Sequence, residues 1–147
     1  MPYTTQSKIQ TAIPANVLND ALDDNRDGMA DDGILDEIIE SASTQVDAYL
    51  ASSYVTPFTD PIPAKVSEAA FLFACERIYD RRELIDKNPY RARADEMRAI
   101  LKLIAQGEIQ LDASRTTAIP AASGGQPFIP SRIPMPPYNP YPMGGAQ

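Results

Sequence analysis

The chain has 147 residues with 13 basic and 20 acidic side chains, a net charge of -7, no histidine, no tryptophan and a single cysteine, Cys75. That length bounds one domain with a modest core, and the composition excludes imidazole catalysis, histidine-rich metal sites and a disulfide framework. MPYTTQSKIQ at the start has no basic segment followed by an apolar stretch, and no uncharged apolar run nears membrane-spanning length, so a soluble cytoplasmic product is expected.

Thr4 or Thr5 is placed to cap a short first helix ending near Pro14, and Ala15 to Leu22 reads as a second short helical turn. The stretch DDNRDGMADDGILDE at 23 to 37 then runs an acidic loop into an apolar pattern. From Gly33, residues Ile34, Leu35, Ile38, Ile39, Ala42, Val46, Tyr49 and Leu50 recur at helical spacing. YVTPFTDPIP stops that helix, because its prolines remove donors and force extended backbone. Pro63 is expected as the first residue of a second long helix with a broad apolar face built on Val66, Ala69, Ala70, Phe73, Ala74, Cys75, Arg77 and Ile78. Asn88 and Pro89 are expected to open a third, carrying Met97, Ile100, Leu101 and Ile104 and ending at Gly107. The fold class expected is all-α: a small helical bundle over residues 1–112 with an acidic loop before the first long helix.

Residues 113–147 differ in kind. The stretch from Asp112 onward holds 8 of the 14 prolines and almost no charge. Such a segment favours polyproline II and spans on the order of 100 Å at ~3.1 Å per residue. Phe128, Ile129, Ile133, Met135, Tyr138 and Tyr141 would be the groups that grip a neighbouring chain's groove, as proline-rich ligands do.

The charge is unevenly laid out. Residues 1–60 carry 2 basic and 11 acidic side chains, residues 61–112 carry 9 of each, and Arg115 and Arg132 complete the total. An acidic chain of this layout suits contacts between unlike protein faces better than general nucleic-acid binding. Arg77, Arg81, Arg82, Arg91 and Arg93 are the candidate subunit-interface residues.

Two readings of the acidic loop stand side by side. Asp23, Asn25 and Asp27 take the first, third and fifth positions of a calcium loop, Gly28 the sixth, the Met29 carbonyl the seventh and Asp31 the ninth. The twelfth position is Ile34 where a bidentate glutamate belongs, so a Ca2+ site would have to close through Asp36. The other reading is a tight turn whose aspartates cap the following helix and suit its positive end. No cofactor is required under either. Cys75 reads as a buried structural thiol, since no histidine exists to activate it. Glu76 with Asp80, and Asp95 with Glu96, read as solvated or interface ion pairs. No enzyme is indicated.

The combined order of the DDNRDGMADD loop, DAYLASSY, PIPAKV, the arginine-bearing FLFACERIYDRR and AQGEIQL resembles the small head-tail adaptor proteins of Mu-like tailed phages and prophages. The resemblance covers about residues 1–112 and leaves the proline-rich tail outside it. It implies a virion protein of the neck, assembled in the host cytoplasm, forming a ring of twelve copies beneath the portal protein. Its other partner would be a tail-side stopper or terminator protein, with genomic DNA only passing through the channel and no membrane involved. A heterologous ring seam between the acidic first half and the later arginines fits that role. The rival readings are a calcium-binding helical interaction module built on residues 23–36, and a small packaging-associated DNA contact protein.

Overall fold

The computed structural model describes residues 1–81 and 88–114. They form five helices, α1 (Gln6–Ala12), α2 (Ala15–Leu22), α3 (Ile34–Leu50), α4 (Ala64–Asp80) and α5 (Arg91–Gln106), with no strand among the described residues. Fold class is therefore all-α, as the periodicity indicates.

Local signals set most boundaries. Thr5 caps α1, its hydroxyl accepting from the Lys8 amide, and Ile13 turns extended ahead of Pro14. Gly33 enters α3 at φ 86, a left-handed conformation that glycine adopts without steric cost. Gly107 leaves α5 at φ 85, where its amide and that of Glu108 return to the Ile104 and Leu103 carbonyls and satisfy the open helix end. Two helix starts differ from expectation. Pro63 is the cap preceding α4 rather than its first residue. α5 begins at Arg91, not Pro89, because Asn88 is engaged as a hinge pin: its amide nitrogen donates to the Glu76 carbonyl at 3.1 Å and to Asp80 at 3.0 Å, while its oxygen accepts from the Tyr90 amide at 3.0 Å.

α4 is the central helix and packs on all four others. Val66, Ala69, Ala70, Leu72, Phe73, Ala74, Cys75, Glu76 and Ile78 are buried, so the helix is covered nearly all round, as a core helix must be. α3 runs antiparallel to it, since Arg77 reaches Ser41 and Gln45 whereas Phe73 lies against Tyr49. Full burial of each large apolar side chain here contributes about 1.5–3 kcal/mol.

Tyr3 fixes the N-terminal segment to this frame. Its ring is 3% exposed, its amide donates to the Ser43 hydroxyl at 3.0 Å, and its hydroxyl donates to Asp47 at 2.5 Å while accepting from the Phe58 amide at 2.9 Å. Periodicity cannot show this, because the partners lie 40, 44 and 55 residues away. The break between α3 and α4 is tied down in the same manner. Ser53 donates to the Ala105 carbonyl, and the Tyr54 hydroxyl accepts from the Leu111 amide.

Candidate functional site

The acidic loop closes on itself. Asp23, just past the end of α2, is buried and its two oxygens accept from the Asp27 and Gly28 amides at 3.1 and 2.8 Å. Asn25 accepts from the Asp27 amide and Asp27 from the Met29 amide, each at 2.8 Å. Asp31 folds back over the turn, taking the Asp24 amide at 2.8 Å and the Asn25 side-chain amide at 2.7 Å. Left-handed backbone at Arg26 and Gly28 makes this curl feasible. Asp23, Asn25, Asp27, Met29 and Asp31 thus share one turn, but Asp36 is directed to the Gln6 side-chain amide at 2.6 Å. Among the described residues no three carboxylate or thiol side chains are grouped so as to hold a metal ion.

The arginines divide by what they touch. Arg81 clamps both oxygens of Asp24 at 2.6 and 2.7 Å and donates through Nε to the Ala21 carbonyl at 3.0 Å, so it ties the end of α4 to the root of the acidic loop. Arg77 spans to α3 through Ser41 and Gln45. Between these two arginines, Ile38 and Asp80 lies a shallow cleft of about 300 Å³. Arg91 and Arg93 stand exposed at the start of α5, and neither is in an ion pair with any described residue. Arg82 lies outside the described residues.

Glu76 corrects an expectation. It is neither solvated nor at an outer surface but 5% exposed, and Arg98 of α5 grips both its oxygens while also holding Asp95 at 2.7 Å. The Arg98 guanidinium lies 5.0 Å from the centre of the Phe73 ring, close enough for a cation–π contribution. Arg98 was not among the candidate residues. The clue was Glu76 itself, a carboxylate set in the apolar run FLFACERI with no local cation on the same side. Cys75 is fully buried and burial pushes its thiol up to about 12, which keeps it protonated and unreactive near neutrality.

A concavity of about 580 Å³ lies on the proline break, between Val55–Pro63 and Leu111–Ser114, with Phe58, Pro57, Pro61 and Leu111 in its wall. The tail residues Phe128, Ile129, Ile133, Met135, Tyr138 and Tyr141 lie outside the described residues. No helix among the described residues is long and apolar enough to cross a membrane.

A family model described as Bacteriophage Mu, Gp36 matches residues 3–128. That span reaches past Asp112, where the resemblance in sequence was expected to end, and takes in the first part of the proline-rich segment. No curated protein matches the chain.

Proposed function

The chain belongs to the bacteriophage Mu Gp36 family, and from that premise we propose that it is a head–tail connector subunit. Twelve copies form a ring in the virion neck, with the portal protein on one side and a stopper or terminator protein on the other. DNA passes through the ring without being bound, no reaction is catalysed and no metal is required.

One observation carries this reading more than any other. The described domain carries unlike charge on separate helices of its exterior. The acids of α3 have no lysine or arginine beside them in that helix, and the cations opening α5 have no acid in their first turn. A small scaffold with acids in excess on one helix, four in α3 with no base, and bases in excess on another, four in α5 against two acids, is suited to docking copy on copy. The proline-rich segment extends the same role, reaching a neighbouring neck protein with its aromatic and aliphatic residues.

The experiment is assembly of the full chain, alone and with purified portal complex, followed by negative-stain imaging and native mass spectrometry. A closed ring of twelve copies seated on the portal supports the reading. A chain that never associates with itself or the portal would refute it.

A further inference from the structure

The concavity on the proline break combines apolar surface with unanswered acid. Val55 is 55% exposed in its wall, beside Pro57, Pro61 and Leu111. Asp60 and Asp112 stand exposed in the same wall, and neither is in an ion pair with a described residue. At about 580 Å³ the space has the size of a ligand cleft. Such a wall suits an extended, proline-bearing peptide that carries a cation, because polyproline II has its shape before it binds and loses little freedom on docking.

The chain itself supplies a peptide of this kind, and the described backbone ends at the groove. Ser114 lies in the groove wall, and its carbonyl accepts from the Val55 amide at 3.2 Å. Beyond it the sequence reads PFIPSR at 127–132. At three residues per turn of polyproline II, Pro127 and Pro130 share one face, about 9 Å apart, and Arg132 follows two residues on. Of the proline pairs spaced three apart after Ser114, this one lies nearest the domain and is followed by a cation. Arg115 and Arg132 are the only charged side chains after Asp112. Residues 115–126 form the tether, with Gly124 and Gly125 close to the peptide, and as a flexible chain they span roughly 20 Å. That reach suffices to return to a groove whose wall holds the point of departure. So short a tether also keeps the peptide at an effective concentration in the millimolar range, enough for a weak site to fill.

We propose that PFIPSR at 127–132 docks in the proline-break groove of its own chain, its proline face on Val55, Pro57 and Leu111 and Arg132 drawn to Asp60 and Asp112. Docked in this way, the segment is withheld from neighbours until one of them competes for it. The inference needs the helical domain but not the connector reading.

A spin label in the full chain tests it. Ser131→Cys takes a nitroxide, while the buried Cys75 stays unlabelled. In amide spectra of dilute isotope-labelled protein, the nitroxide should strongly quench Val55, Thr59 and Ala113. Adding Pro127→Ala and Pro130→Ala should reduce that quenching to the level of a freely sampling tether. Asp60→Lys with Asp112→Lys should reduce it likewise, and adding Arg132→Glu to that pair should restore it, because the charges are again unlike. Circular dichroism checks that each variant keeps its helices, which is expected since every altered side chain lies at the surface or in the tail. Quenching that is equal in all the variants overturns the proposal. Quenching that arises only when spin-labelled and isotope-labelled chains are mixed also overturns it, since the segment then serves a second copy.

Discussion

Arg98 crosses from α5 to grip both carboxylate oxygens of Glu76, a residue only 5% exposed near the end of α4. Hydrogen bonding to Glu76 holds the Arg98 guanidinium above its already high value. Arg98→Met leaves a buried carboxylate without its partner, and the expected loss is about 3–5 kcal/mol of unfolding free energy. Replacing both, Glu76→Leu with Arg98→Met, should recover most of that loss, since the desolvation cost disappears with the charges. Urea unfolding of the single and double variants checks this. A harmless single variant would show that the pair is not what holds α5 on α4.

Arg81 acts on the loop rather than on the whole fold. Its clamp on Asp24 lies partly in solvent, with the two side chains 33% and 58% exposed, so the ion pair contributes at most about 1 kcal/mol. Arg81→Ala should therefore change global stability little, yet speed amide hydrogen exchange between Leu22 and Gly33. Reversing Arg81 would disturb the loop as well as any contact between copies, which makes it a poor probe of assembly. Unchanged exchange in the loop would show that the clamp holds nothing in place.

Alkaline pH should unfold the protein through Tyr3 and Cys75. Burial and the bond to Asp47 raise the Tyr3 hydroxyl from 10.0 to about 12, and burial raises the Cys75 thiol from 9.0 to about 12. Both groups keep their protons in the folded chain at a pH where the unfolded chain has lost them. The unfolded state then binds fewer protons, so stability is complete below about pH 9 and falls as pH climbs toward 12. The Tyr3 share is on the order of 3 kcal/mol, at 1.36 kcal/mol per unit. Tyr3→Phe should cost about 1–3 kcal/mol at neutral pH by leaving Asp47 and the Phe58 amide short of a partner. It should also make the alkaline decline shallower, which denaturant titrations at several pH values would reveal.

The acidic loop is expected to keep its shape without calcium. Asp23 and Asp31 already satisfy backbone amides of the turn, and Asp36 is occupied by Gln6. Removal of divalent ions with a chelator should leave the thermal midpoint unaltered, whereas Asp23→Ala, which strips the Asp27 and Gly28 amides of their acceptor, should lower stability by about 1–3 kcal/mol. A large fall in the midpoint on chelation, restored by micromolar calcium, would favour the calcium-module reading.

What the sequence disclosed was what local chemistry controls. The run Ile34 to Leu50 is helical because its apolar spacing is regular, and Gly107 ends α5 because glycine accepts the left-handed turn. What it hid was contact at a distance. Glu76 reads as a surface charge because its partner stands 22 residues onward on another helix, and the partners of Tyr3 lie 40 or more residues away. Ser43 interrupts the apolar pattern of α3, yet it is buried and receives the Tyr3 amide. At the acidic loop, spacing alone could not say whether the carboxylates turn toward a cation or toward the backbone.

The central claim is that this family member works as a closed ring between head and tail. Negative-stain imaging of purified virus particles, with the protein located by a bound antibody fragment, addresses it most directly. The account predicts label confined to the neck and arranged around an open channel with twelvefold repetition. Label on the capsid surface or along the tail, or one isolated copy per particle, would contradict it.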